Sequence, residues 1–270
     1  MGIFRAVLVA FIGMISLGAA TGHAETKWID LPVSTGGSVK ALLGIPDGAS
    51  MAPGVVYSHG TFVRRMGYEA AKDKGYDVAE YVTALNAAGY VALAPVRDHG
   101  VLSDPDSARR GDVGREPTPS LQAGIEQGIA SLRAAVAYLK DHATATGKVG
   151  AVGFSEGGLV TLWTLLDGLR VDAAVLMSPA TIKKARRLNM KNALQSGGFG
   201  EIKAPVLVTL GEDDNAPILR VVKGRLIPAM REAGVSVETK LDYPGDHGWF
   251  WQVRSAHFAD MRSFLDTRLK

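Results

Sequence analysis

The sequence predicts an α/β fold: a mostly parallel sheet with helices on both faces and an antiparallel hairpin at its N-terminal end. Two observations carry this prediction. Short apolar runs of β type alternate with helix-period segments along most of the chain, the pattern that builds parallel sheets with crossover helices. At one strand-to-helix junction stands Gly153-Phe154-Ser155-Glu156-Gly157-Gly158, a serine flanked by glycines two residues away on either side. The chain has no cysteine, so neither a disulfide framework nor lipid attachment at a cysteine is available.

The first residues read as a leader. Met1 to Arg5 supply a short positive start through Arg5, Ala6 to Ala20 are apolar, and Gly22-His23-Ala24 sets small residues where a signal peptidase cuts. The apolar stretch is short and interrupted by glycine, which disfavours a membrane anchor. The expectation is a signal peptide over 1–24 and one domain over 25–270, exported to the periplasm or the medium. A formal net charge of +3 over 270 residues is too small to argue for nucleic acid or an anionic membrane. The doublets Arg64-Arg65, Arg109-Arg110 and Arg186-Arg187 accordingly read as solvated surface.

Trp28–Val33 and Val39–Ile45 predict two strands joined at Gly36-Gly37. Gly54–Ser58 is an apolar run suited to a buried parallel strand. Val78, Val82 and Leu85 give a helical period closed by Gly89, and Tyr90–Ala94 a strand stopped by Pro95. Val96 to Pro119 has no period and is rich in Asp, Arg, Gly and Pro; so long an irregular segment in a compact domain is usually functional. A long helix begins near Thr118-Pro119, with Leu121, Ile125, Ile129, Leu132, Val136 and Leu139 on one face. Strands are expected at Lys148–Val152, Val171–Met177, Pro205–Leu210 and Ser236–Tyr243. Helices are expected at Leu159–Leu166, Thr181–Gln195, Ile218–Ala233 and from Trp249 to the C-terminus.

The Ser155 hexapeptide fits a nucleophile elbow, in which the serine takes a strained backbone conformation and neighbouring side chains would collide with strand and helix. A serine hydroxyl needs a base, usually histidine, oriented by a carboxylate. In this architecture the acid follows the serine and the histidine follows the acid, each after a later strand. Gly211-Glu212-Asp213-Asp214 ends one such strand and Gly245-Asp246-His247-Gly248 follows the next. His59 and His99 precede the serine, His142 closes the long helix, and His257 lies on an apolar face as a packing residue, which leaves His247 as the base. The oxyanion requires backbone donors: Glu156 N–H directly after the nucleophile, and Thr61 N–H from His59-Gly60-Thr61-Phe62 after an earlier strand. Arg97, Arg109, Arg110 and Arg115 suggest a loop that meets an anionic group, with Arg109 and Arg110 as substrate-binding candidates. No metal-ligand spacing or phosphate loop is present, so no metal or other cofactor is indicated.

Taken together, Gly153 to Gly158, His59-Gly60, Gly211 to Asp214 and His247-Gly248 resemble the α/β-hydrolase superfamily, in its compact dienelactone-hydrolase and prolyl-oligopeptidase-like branch. The resemblance spans nearly the whole mature chain. It implies the α/β-hydrolase fold, a cofactor-free acyl-enzyme mechanism through Ser155, His247 and a carboxylate, and a small-molecule ester or lactone as substrate. The related hydrolases usually set the acid three positions after the strand-ending glycine, which is Asp214. Dienelactone hydrolases proper use a cysteine nucleophile where this chain has Ser155. A peptidase or acyltransferase on the same scaffold, or a binding protein that keeps the fold, are the alternatives.

Overall fold

The computed structural model describes residues 26–48, 51–97, 118–142, 144–181 and 187–270. Among the described residues eight strands form one sheet: β1 (Thr26–Pro32), β2 (Ser38–Gly44), β3 (Ala52–Ser58), β4 (Val91–Pro95), β5 (Ala145–Phe154), β6 (Ala173–Met177), β7 (Val206–Gly211) and β8 (Val237–Tyr243), in the spatial order β1-β2-β4-β3-β5-β6-β7-β8. The β1–β2 and β2–β4 pairs are antiparallel and all the others parallel. Burial follows position in the sheet. Every residue of β3, β4, β6 and β7 is buried, whereas β8 alternates along its length. Strands covered on both faces need continuous apolar sequence, and an edge strand does not.

Two helical layers close the sheet. On one face, α4 (Thr118–Asp141) buries Ile125, Leu132, Val136 and Leu139 beside Leu159, Val160 and Leu162 of α5 (Glu156–Leu166). On the other, α1 (Thr61–Met66), α2 (Tyr68–Asp73) and α3 (Val78–Ala87) pack Val63, Tyr68, Val78 and Val82 against Met261, Phe264 and Leu265 of α9 (Ser255–Leu269). Asp77 caps α3 by accepting from Ala79 N–H at 2.9 Å.

The remaining helices depart from the expected bounds. Within Thr181–Gln195 the described helix is only α6 (Met190–Gln195), because Asn189 N-caps it by accepting from Asn192 N–H at 2.9 Å; residues 182–186 lie outside the described residues. The expected helix at 218–233 is α7 (Ala216–Val221) and α8 (Ile227–Glu232), joined by a π turn at Val222–Leu226. A 3₁₀ turn, His247–Trp251, precedes α9. Helices α1 and α2 escape periodicity altogether: each has six residues, under two turns, and Gly67 at φ 84° separates them. Among the described residues no helix is long and apolar enough to cross a membrane.

The chain leaves β3 toward β4 on one side and later returns to β5 on the other side of β3. In open α/β sheets the crevice at the carboxyl ends of such strands is where ligands bind. Ser155 follows β5, and Gly60 and Thr61 follow β3, at that crevice.

Candidate active site

Ser155 sits between β5 and α5 at φ 53° and ψ −115°, a region that side chains rarely occupy. The glycines around it are required by contact. A Cβ on Gly157 would overlap the Ser58 carbonyl oxygen at the end of β3, and one on Gly153 would overlap the Gly157 carbonyl oxygen. This close approach tucks the elbow under β3, where Ser155 is 7% exposed at the floor of a cavity of about 370 Å³.

Ser155 Oγ lies 2.8 Å from His247 Nε2, and His247 Nδ1 lies 2.9 Å from Asp214 Oδ1. The β7 and β8 loops are drawn together by Glu212 N–H donating to Tyr243 O at 2.8 Å and Asp213 N–H donating to Gly245 O at 3.1 Å. Gly211 permits that approach, since a Cβ there would overlap the Gly245 carbonyl. Of the three adjacent carboxylates only Asp214 is turned inward; Glu212 and Asp213 are exposed. Asp214 also accepts from Asn215 N–H at 2.6 Å and from the Ser178 hydroxyl.

Ser178 was not singled out in the sequence. It ends β6 with φ 46°, is fully buried, and also lies 3.2 Å from His247 Nδ1. Nothing in Met177-Ser178-Pro179 marks it beyond a polar residue closing an apolar strand.

A second buried cluster lies directly beneath the serine. Glu156 has no solvent exposure; its carboxylate accepts from Arg64 Nε at 2.8 Å and Nη2 at 2.9 Å, from Arg97 Nη1 at 2.7 Å, and from Thr61 Oγ1 at 2.9 Å. Burial alone would raise its pKa, but Arg97 and Arg64 outweigh burial and hold it at about 2. Arg64 and Arg97 are themselves buried. This corrects two expectations: Arg64 is not solvated surface, and Arg97 is not part of an exposed anion-binding loop. Burial of an anion one residue after Ser155 demands cations, and α1, which follows β3, and the segment after β4 supply them in Arg64 and Arg97. Glu156 inside an otherwise apolar run was the signal available in the sequence.

His59, at the end of β3, is fully buried and its pKa is lowered well below the usual value by burial and by Arg97. Its Nε2 accepts from Arg97 N–H at 2.8 Å, which leaves the proton on Nδ1, 2.9 Å from Gly60 O. It braces the β3 and β4 loops and does not reach Ser155 through any hydrogen bond among the described residues. His257 packs as expected, buried 3.2 Å from Tyr81 Oη. His142 is half-buried, with Nδ1 2.9 Å from Thr144 Oγ1.

The Gly60 amide is taken by Tyr76 Oη at 2.6 Å. Thr61 and Glu156 are the first residues of α1 and α5, so their N–H groups have no partner within their helices. The rest of the cavity wall is mainly aromatic: Phe62 stacks on Trp251 at 4.7 Å, with Tyr76 and Phe154 beside them, and Met66 and Arg65 complete it, so that Arg65, like Arg64, is not plain solvated surface. Arg109 and Arg110 lie outside the described residues.

This fold, with its serine at a strand-to-helix elbow, defines an α/β-hydrolase. The profile of the dienelactone hydrolase family matches residues 39–263, and the chain belongs to that family. Among solved structures it is similar to esterase Pf2001 of Pyrococcus furiosus, at 18% identity over 92% of each chain and a TM-score of 0.62. It is also similar to a bacterial brefeldin A esterase (18% identity, 94% of this chain and 80% of that one, TM-score 0.63). The acylaminoacyl peptidase of Pyrococcus horikoshii matches at 16% identity over 92% of this chain and 42% of its own, with a TM-score of 0.63. At these identities the likeness establishes the fold. No functionally curated protein matches.

Proposed function

We propose that this chain is a serine hydrolase that cleaves a carboxylic ester or lactone through an acyl-enzyme, with Ser155 as nucleophile, His247 as general base and acid, and Asp214 as the orienting carboxylate. The observation that carries this reading is the continuous relay from Ser155 Oγ to His247 Nε2 at 2.8 Å and from His247 Nδ1 to Asp214 at 2.9 Å. His247 takes the Ser155 proton as Oγ adds to the carbonyl carbon. The oxyanion develops toward the N–H groups of Glu156 and Thr61. The imidazolium then protonates the departing alcohol oxygen, and in the second half His247 activates the water that releases the acid. The aromatic wall of Phe62, Tyr76 and Trp251 suits a largely apolar group beside the ester.

Ser155→Ala should lower hydrolysis of phenyl esters by several orders of magnitude without changing the unfolding curve. A fluorophosphonate probe should label the wild type and not the variant. Activity near wild type in a folded variant would overturn the assignment. We also propose export, with cleavage after Ala24; the leader lies outside the described residues, and the support is its composition. Intact mass of the exported protein checks it: a product that retains Met1 to Ala24 and sediments with membranes excludes cleavage.

A further inference from the structure

A second cavity, of about 520 Å³, opens between α6 and α7 and has no part in the mechanism above. Lys191, Arg220 and Arg225 line it, together with Thr181 and Asn192. Among the described residues none of these three cations makes an ion pair. Several arginines elsewhere do, as in Arg133–Asp167, Arg187–Glu126 and Arg262–Asp266. Their own segments offer no acid: residues 181–200 contain no Asp or Glu, and neither do residues 215–231, and Arg187 of the first stretch pairs only by reaching the distant Glu126. Like charges collected around one hollow repel one another, and an anion bound among them relieves that repulsion.

Two further features point to a ligand. Arg225 belongs to the π turn Val222–Leu226, and π turns are rare and concentrate at functional sites. The cavity also adjoins the catalytic loops. Thr181 follows Ala180, whose N–H donates to Ser155 O at 2.9 Å, and Pro217 stands three residues after Asp214.

We propose that this cavity binds a phosphate-type dianion, carried either on the substrate or on a separate ligand. Two guanidinium groups offer the planar paired donors that phosphate oxygens accept, and Lys191 adds a point charge. The cavity stands on its own geometry; only its link to catalysis rests on the ester-hydrolase reading.

The test is calorimetric titration of the full chain with inorganic pyrophosphate at low salt. Arg220→Gln/Arg225→Gln should weaken binding roughly tenfold or more, as expected for loss of two charge-assisted contacts. Lys27→Gln/Lys74→Gln, which removes the same charge from exposed positions elsewhere, should leave it unchanged. No binding to the wild type, or equal loss in both double variants, overturns the proposal. A second arm compares kcat/KM for 4-acetoxyphenyl phosphate with that for phenyl acetate. Selective loss on the phosphorylated ester in the arginine variant makes the anion part of the substrate. An unchanged ratio, with pyrophosphate binding lost, makes it a separate ligand. Because the titration does not depend on turnover, its failure is distinguishable from failure of the hydrolase assignment.

Discussion

Two buried carboxylates lie near Ser155, and they are held in opposite ways. Asp214 accepts only from neutral groups besides the imidazole: the Ser178 hydroxyl on Oδ2 and the Asn215 amide on Oδ1, the oxygen that also faces His247 Nδ1. Glu156 is saturated by two arginines and a threonine. The contrast fits the roles proposed above. A carboxylate that stabilises an imidazolium appearing only during the reaction cannot be neutralised beforehand by a permanent cation. One that ties three loops together gains from permanent cations, because a buried charge left unpaired would be costly. Glu156 thereby links the elbow to the β3 loop through Arg64 and Thr61, and to the β4 loop through Arg97.

The largest effect that would separate the two roles is on turnover. Asp214→Asn should cost on the order of ten-thousand-fold in kcat, because the amide no longer holds the required imidazole tautomer. Its fold should be little changed. Asp213→Asn should leave kcat near wild type, since Asp213 faces solvent. Steady-state kinetics on a phenyl ester reads both, and the reverse ranking would move the acid role to Asp213.

Glu156→Gln should show the complementary pattern, a loss of stability before any loss of chemistry. Removing one partner from a buried ion cluster typically costs about 3–5 kcal/mol, read as a fall in the urea midpoint at pH 7. Acid should act on the wild type in stages. His257, buried and beside Arg254, has its pKa lowered to about 4 from 6.5, and His59 is lowered as well. Their stabilising contribution is complete above pH 6.5 and drains away as pH falls through the folded values. Glu156, held at about 2 against an ordinary 4.5, contributes fully above pH 4.5 and loses its share as pH falls toward 2. Urea midpoints should therefore decline steadily below pH 6.5. His257→Phe should flatten the decline between pH 6.5 and 4; an unchanged slope would remove His257 from the account.

The contrast also marks what could be read from the chain. The hydrogen-bonded relay was legible because each member stands at a strand end in a fixed order, with glycines that the geometry demands. The sheet was legible for the same reason: buried parallel strands require continuous apolar runs. The ion cluster was not. Arg64 sits in a six-residue helix without a readable period, and Arg97 opens a segment whose composition looks like surface. Burial of an arginine depends on a partner almost a hundred positions away, here Glu156 for Arg64, and no local pattern records that distance. Ser178 escaped for the same reason, since it matters only through Asp214, 36 residues on.

The two smallest substitutions test whether each carboxylate needs its minor donor. Ser178→Ala removes a hydroxyl that donates to Asp214, and a hydrogen bond to a charged group is worth about 1.5–3 kcal/mol. If that energy holds Asp214 against His247, kcat should fall roughly 10- to 100-fold with KM unchanged. Thr61→Val should do less. It keeps the shape and the backbone N–H of Thr61 and removes only the hydroxyl bonded to Glu156 Oε2, an oxygen that still accepts from Arg64 Nη2 at 2.9 Å. With that second donor in place the carboxylate is not orphaned, so the net cost should approach that of an ordinary hydrogen bond, about 1 kcal/mol. If the Thr61 hydroxyl aligns the β3 loop for catalysis, that cost should appear in kcat, as a fall of less than about tenfold, and leave both KM and the urea midpoint near wild type. A lower midpoint with unchanged kcat would mean that the hydroxyl supports only the fold, and that the Arg64 and Arg97 pairs alone align the loop.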